Sequence, residues 1–359
     1  MRSHPLPLFQ PNVRRAIGVF DEDDWDHVGT FPDSRYTYRI FLTAVGKWPR
    51  FCAEMNELAP YLENVNLSEV CALEVATVFA HFAQEVGAHS EGSSIAPQPP
   101  GGQLALSGAA MPSEQWRQGL FFIEELGYAG TQNVGYRQCD GDWGLAFPCG
   151  NSVSYHGRGA KQLSYNYNYG PFSRTVFGSE NMHVLLQAPQ RVANEGWLAL
   201  SSAIYFYMTP RAPKPSIHET VTGLWQPTSR DIAADRVPGF GVTIQIINGG
   251  LECNFPLEAA TARKRRIYFE GISRYLEIWD GFVENYPKHD CINMQSFEGG
   301  GAYDYPPSWI SLWDGSIGLA TWEEGPFLTL FPGDYYRAKQ VASKTSPWDW
   351  EGGKGAKID

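Results

Sequence analysis

The sequence predicts a mainly α fold, and three stretches predict it. Residues 68–86, 184–208 and 259–276 each repeat apolar side chains at the three- and four-residue spacing of a helix that buries one face. At 359 residues the chain is long enough for one domain of roughly 250 residues with extensions, or for two smaller ones. A net charge of −11 argues against nucleic acid as a partner, and the basic residues cluster only at Arg263-Lys264-Arg265-Arg266. No run reaches the about eighteen apolar residues of a membrane span, so no membrane partner is expected. The segment Met1 to Gly18 has three arginines and no apolar centre, so a signal peptide is read as absent or already removed.

Taken in order, residues 1–35 contain Pro and Asp with little pattern and read as an N-terminal extension. A helical pattern starts at Tyr36 through Tyr38, Ile40, Phe41, Val45 and Trp48, and Pro49 stops it. Residues 53–65 read as a short helix and a connection. The strongest helix runs from Ser68 to Val86, with Ser68 as N-cap, Glu69 at the positive end of the dipole and Gly87 as its stop. Residues 88–112 are rich in Ser, Pro and Gly and read as a loop. Residues 114–125 give a helix-like or mixed pattern, and Gly127 to Cys149 is irregular. Residues 184–208 read as one long helix ended by Pro210, and 211–241 as a Pro/Gly/Asp-rich loop. Val242 to Ile247 is apolar enough to be buried, and Asn248-Gly249-Gly250 reads as a turn. Ala259 to Leu276 is a further helix with arginines on one face. From residue 298 the composition changes to turn residues and tryptophans (Trp309, Trp313, Trp322, Trp348, Trp350), which anchor an extension or stack on polysaccharide. There are no internal repeats.

Six cysteines are present, none with CxxC spacing and none accompanied by His at zinc-ligand spacing, so disulfides are favoured over metal. Cys139 and Cys149 bracket a short loop, Cys253 and Cys291 flank a helical segment, and Cys52 and Cys71 lie close in sequence. Three bridges imply an oxidising compartment and a secreted protein; the alternative is six reduced core thiols.

Two features point to chemistry. Tyr155-His-Gly-Arg-Gly-Ala-Lys-Gln-Leu-Ser-Tyr-Asn-Tyr-Asn-Tyr-Gly170 has almost no apolar periodicity, and Leu163 is its one aliphatic residue larger than alanine. It combines amides and hydroxyls with flat tyrosine faces, a surface suited to a sugar chain; the plainer reading is a surface loop. Glu85 falls in the last turn of the 68–86 helix, where the dipole gives a carboxylate nothing and burial by Phe82 and Val86 drives its pKa upward. That suits a general acid, although a solvated Glu at a helix end is the commoner case.

The stretch Tyr155–Gly170 resembles the signature of family 19 glycoside hydrolases, the chitinases best known from plants. Lys214-Pro-Ser216, Trp225-Gln-Pro227, Arg236-Val-Pro-Gly-Phe-Gly-Val242 and Ile246-Ile-Asn-Gly-Gly-Leu-Glu-Cys253 are similar too, as are Tyr36-Thr-Tyr-Arg-Ile-Phe-Leu-Thr-Ala and Trp48-Pro-Arg-Phe-Cys52. The resemblance runs from about Tyr36 to Phe297, so it sets a catalytic domain at 36–297 between the extensions 1–35 and 298–359. It implies a lysozyme-like, two-lobed helical domain with a central substrate cleft, and endo-hydrolysis of β-1,4-linked N-acetylglucosamine with inversion. The implied general acid is Glu85 and, from Gly119-Leu-Phe-Phe-Ile-Glu-Glu125, the implied base is Glu125, with Glu124 as fallback. Ser164 would help hold the attacking water. Gln162, Tyr167, Asn168 and Asn248 would bind substrate, and Glu252 with Arg266 would form a charged pair against the acid, whose cation would hold the Glu85 pKa down against the rise from burial.

An inverting pair needs its carboxyls about 6.5–9.5 Å apart to admit a water, which adjacent Glu124 and Glu125 cannot provide. The sequence departs from the plant pattern at Gln84, Phe147 and the longer 88–112 loop. Phe121 stands where plant members carry a cysteine, so the resemblance does not carry the expected Cys52–Cys71 pairing. The expected partners are chitin or chitooligosaccharides, on a monomer without cofactor or metal. The competing readings are a chitin-binding protein without turnover and a muramidase acting on peptidoglycan.

Overall fold

The computed structural model describes residues 10–30, 32–53, 67–89, 114–128, 134–140, 144, 147–178, 181–210, 214–280, 283 and 286–297, with the backbone of 309–311 and 317–319. These residues are mainly helical, and one hydrophobic core runs from Val13 to Phe297. Its centre is α4 (Leu67–Val86), which is buried on nearly every side from Val70 to Ala83. A helix that is apolar around its whole circumference cannot lie on a surface, and neighbours wrap this one. Helix α1 (Pro11–Val19) and α12 (Ala260–Tyr275) pack along it, while α3 (Tyr38–Lys47) packs on α8 (Gly196–Met208). The close fit of α12 requires Gly271, where a Cβ would lie 2.5 Å from the Trp116 ring.

Residues before Tyr36 take part in this core. α1 and α2 (Glu22–Val28) bury Val13, Ala16, Phe20, Trp25 and Val28, and the rings of Phe20 and Trp25 meet Phe41 and Phe79. Asn12, also buried, donates from Nδ2 to the carbonyls of Val45, Trp48 and Phe51 at 3.1–3.2 Å, which ties α1 to the turn that follows α3. An Asp21/Asp24 capping box starts α2, and Thr37 caps α3.

Several stretches fold differently from their sequence pattern. Residues 184–208 are three helices, α6 (His183–Gln187), α7 (Arg191–Asn194) and α8, because the chain breaks at Ala188 and Glu195, with Pro189 between the first two. The loop read over 211–241 contains α9 (Ile217–Val221) and α10 (Ser229–Ala233), each started by a capping box, Ser216/Glu219 and Thr228/Asp231. The turn expected at Asn248 is a kink inside α11 (Phe240–Glu252), with Asn248 at φ −151°. Residues 114–125 form only a 3₁₀ turn at Gln115–Arg117, after which Leu120 at φ +61° breaks the pattern. The aperiodic Tyr155–Gly170 stretch ends inside α5 (Asn166–Phe177).

Disulfides join Cys52 to Cys71, Cys139 to Cys149 and Cys253 to Cys291, with Cα separations of 4.5, 5.5 and 5.1 Å. In the tail, β1 (Trp309–Ser311) pairs antiparallel with β2 (Ile317–Leu319), Ile310 opposite Gly318. The short helix read over 53–65, the loop over 88–112 and the tryptophan side chains of the tail lie outside the described residues.

Candidate active site

The last turn of α4 presents Glu85 to two cationic neighbours from other parts of the chain. Arg265 of α12 donates from NH2 to Glu85 Oε1 at 2.5 Å, and the Lys161 ammonium stands 4.0 Å from Glu85 Oε2. Arg265 is fixed from behind: it forks onto Glu252 of α11 through two bonds of 2.9 Å, and its NH1 lies 3.3 Å from His81 Nδ1. Asn248 donates to Glu252 Oε1 at 2.7 Å, so the α11 kink delivers an amide to the same cluster. Fully buried charges are tolerated only with such saturation of their hydrogen-bonding groups.

Two corrections to the sequence reading follow. The arginine on Glu85 and Glu252 is Arg265, not Arg266. Successive residues on a helix point about 100° apart, so Arg266 faces away and pairs with Glu258 through bonds of 2.8 Å each. The pKa of Glu85 is also lowered rather than raised. Burial does push it up, but the opposing pull of Lys161 and then Arg265 outweighs burial.

Glu125 lies on an irregular segment and is partly buried. Its carboxylate accepts from the Tyr136 hydroxyl at 2.6 Å and from the Gly157 N–H at 3.0 Å, and its own N–H donates to the Gly157 carbonyl at 2.9 Å. Contact with Glu125, then burial, drives the Tyr136 phenol well above its ordinary range, so it remains a donor through neutral pH. The neighbouring Glu124 has a different environment. It accepts from His156 Nε2 at 2.7 Å and Arg158 Nε at 3.1 Å, and the His156 hydrogen bond chiefly holds its pKa down. Glu124 is thus consumed by an internal ion-pair cluster.

The two walls are stitched together by backbone. Phe121 and Phe122 both donate to the Val86 carbonyl at 2.9 Å, which ties the end of α4 to the segment carrying Glu125. Gly159 donates to Ile123 at 2.8 Å and Ala160 to Ala199 at 3.2 Å, which seats the Tyr155–Gly170 stretch between that segment and α8. Gly159 is at φ +76°, and a Cβ there would meet the Ala199 carbonyl at 2.7 Å.

Tyr155–Gly170 divides into a buried half and a cleft half. Tyr155, Arg158, Asn166 and Tyr169 are buried and bonded internally; Asn166 alone ties the carbonyls of Gln138 and Phe147 and the Gln138 N–H. Gln162, Ser164, Tyr167 and Asn168 remain partly accessible. Ser164 Oγ donates to Gln162 O at 2.9 Å, and Asn168 Nδ2 donates to Ser164 O at 2.7 Å, leaving the Asn168 Oδ1 without a partner among the described residues. Tyr167 stacks on Tyr165 (5.1 Å, 12°), and Tyr165 meets Tyr136 edge-on at 5.2 Å, so an aromatic surface adjoins Glu125.

Sequence reasoning missed Arg265, Lys161 and Tyr136. Lys161 stood inside the motif, and Arg265 was one residue from the arginine chosen; nothing in the sequence marked Tyr136. The arrangement offers one carboxylate clamped by cations and a second held by a phenol and an N–H. Such groups can exchange protons with a ligand lying between the walls.

Comparison with known proteins places the chain among relatives. The family profile described as chitinase class I, glycoside hydrolase 19, matches residues 105–291. Chitinase 9 of Oryza sativa subsp. japonica is 34% identical over 266 residues, covering 74% of this chain and 65% of that protein. The chain therefore spans slightly less than two thirds of that relative. Endochitinase 2 of Solanum tuberosum is 34% identical over 265 residues, covering 74% of this chain and 69% of its own length. Among solved structures, chitinase C from Streptomyces griseus HUT6037 superposes with a TM-score of 0.50 at 20% identity, over 76% of this chain and 97% of that one, a likeness of fold.

Proposed function

This chain belongs to glycoside hydrolase family 19, the class I chitinases, and on that premise we propose that it is a secreted, monomeric endochitinase that cleaves β-1,4-linked N-acetylglucosamine with inversion. The observation that carries the reading is the pair of carboxylates with unlike surroundings. Glu85 is the general acid: its protonated form gives the proton to the leaving glycosidic oxygen, while Glu125 takes one from the attacking water. Glu125 is the general base, aimed by Tyr136 and the Gly157 N–H at a water on the opposite face of the sugar. The engagement of Glu124 by His156 and Arg158 leaves Glu125 as the better base.

Ser164 helps hold the water, while Gln162, Tyr167, Asn168 and Asn248 contact the sugar edges and faces. Glu252 contributes through Arg265 rather than by touching the ligand. Three disulfides support an oxidising, extracellular setting. Among the described residues no helix is long and apolar enough to cross a membrane.

The test is a chitin hexamer followed by proton NMR. The first-formed products carry the α-anomer if hydrolysis inverts; the β-anomer refutes the mechanism. Glu85→Gln and Glu125→Ala are each expected to lose at least about a hundredfold in kcat while retaining oligomer binding. Binding without turnover by the unaltered protein would mark a chitin-binding protein, and clearing of bacterial walls without action on the hexamer would mark a muramidase.

A further inference from the structure

The Glu85 carboxylate carries two cations, and only one belongs to the buried cluster that spans α4, α11 and α12. Arg265 takes Oε1 and is itself locked by Glu252 and His81. The other oxygen, Oε2, faces Lys161, which arrives from a different part of the fold, the strand-like turn after Gly159. Lys161 is not loosely tethered. Its ammonium lies 4.5 Å from the centre of the Phe206 ring on α8, a cation–π distance that fixes the long side chain. Both partners of the pair are largely withdrawn from water, with side-chain exposures of 16% and 15%, so solvent screens the attraction little. Beneath them an apolar pocket formed by Val78, Phe82, Phe206, Tyr207, Ile217 and Ile247 supplies a low-dielectric floor.

We propose that Lys161 is a positioning residue for the acid: braced on Phe206, it holds the Glu85 oxygen that Arg265 leaves free and sets the alkaline end of the pH range in which the enzyme turns over. This rests on the reading of Glu85 as the proton donor. The charged and titratable groups facing Glu85 are Arg265 from α12, Lys161 from the 155–170 stretch, and His89 just beyond α4. His81, one turn back on α4, and Tyr207 line the same pocket, and His81 and Glu252 on α11 both contact Arg265. His89 is pushed down to about 4, by burial first, so it is neutral wherever the enzyme is near neutral pH. Glu252 is neutralised by the fork from Arg265. Lys161 is therefore the cation to remove, because deleting Arg265 would strand the buried Glu252.

The direction follows from electrostatics. A nearby cation favours the ionised carboxylate, so taking it away keeps the proton on Glu85 to higher pH. The limb of the kcat/KM profile that falls as the acid ionises then moves up. Lys161→Met keeps the stem over Phe206 and removes only the charge; Lys161→Arg keeps the charge. On a chitin hexamer, Lys161→Met is expected to move the alkaline limb up by about one pH unit, with Lys161→Arg close to the unaltered enzyme. Carbon NMR titration of the Glu85 carboxyl in the unligated protein is expected to move by the same amount and does not depend on turnover.

An unmoved limb and an unmoved carboxyl titration in Lys161→Met overturn the proposal. So does a shift in Lys161→Arg as large as that in Lys161→Met, or a change confined to KM, which would make Lys161 a sugar contact. Full activity in Glu85→Gln would instead overturn the assignment of the acid, while the carboxyl titration would still report whether Lys161 governs Glu85.

Discussion

Tyr136→Phe isolates a single interaction at the proposed base. The substitution removes one oxygen and leaves the ring, which meets Tyr128 at 5.7 Å and Tyr165 at 5.2 Å, in place. What is lost is the 2.6 Å hydrogen bond to Glu125 Oε1. A hydrogen bond to an ionised group contributes about 1.5–3 kcal/mol, more than a neutral one. Only part of that reaches the transition state, because the Gly157 N–H continues to hold Oε2 at 3.0 Å. Glu125 therefore keeps its location and loses its aim about one carboxylate axis. If roughly half the bond is lost from the transition state, the barrier rises by about 0.8–1.5 kcal/mol and kcat falls roughly four- to twelvefold. KM should change little, since the hydroxyl is already spoken for by the carboxylate in the empty cleft. Initial-rate kinetics on a chitin hexamer, with kcat and KM resolved, measures both. A kcat within twofold of the unaltered enzyme would refute the reasoning, and an unchanged kcat with a raised KM would show that Tyr136 serves the sugar instead.

Two further outcomes test how the fold supports the site. Gly159→Ala forces an L side chain into φ +76° and drives a Cβ to 2.7 Å from the Ala199 carbonyl and 2.6 Å from Ser202 Oγ. Strain and overlap together should cost about 3 kcal/mol, read as a lower urea midpoint with an unchanged slope; an unmoved midpoint would mean the turn relaxes freely. His89, pushed down to about 4 by burial, stays neutral in the folded protein while the unfolded chain protonates near its ordinary value. Between those two values the unfolded state binds the extra proton, so stability falls as pH drops through that window, by at most about 3 kcal/mol. Urea midpoints in neutral and mildly acidic buffer should converge in His89→Gln, and an equal acid loss in that variant would place the effect elsewhere.

Regular helices were legible where one face or the whole circumference is apolar. The Ser68–Val86 pattern lies within one residue of α4, and Ala259–Leu276 within one of α12, because burial against neighbours is what sets their periodicity. The short helices α9 and α10 were read as loop, since five residues are too few for periodicity to show. Their starts were nonetheless written in the chain as Ser216-x-x-Glu219 and Thr228-x-x-Asp231. The break of 184–208 into three helices was marked only by Pro189, which apolar spacing on either side conceals. Within Tyr155–Gly170 the composition was informative but did not separate side chains that build the loop from those that line it. Asn166 and Asn168 are the same residue type two positions apart; one is sealed by three hydrogen bonds, and the other is partly accessible and keeps a carbonyl oxygen with no partner among the described residues.

The substitution of Arg265 for Arg266 shows why a site needs more than its residue types. Both arginines belong to one basic run, and either could pair with an acid in sequence space. On α12 they point about 100° apart, and only one direction leads inward. Arg266 meets Glu258 at the rim, where the pair contributes little, while Arg265 enters a cluster with no water to share. There the arginine joins α4, α11 and α12 through Glu85 and Glu252, so the placement of the proposed acid is an outcome of how three helices pack. The 20-residue α4 supplies the rigid arm, but its last turn alone would leave Glu85 free to swing. Arg265 and Lys161 fix its two oxygens from opposite sides, and the charge balance that fixes them is the same balance that lowers its pKa. Orientation and acidity at this position therefore share one cause, the two cations, and neither could have been read from the helix-end dipole considered by itself.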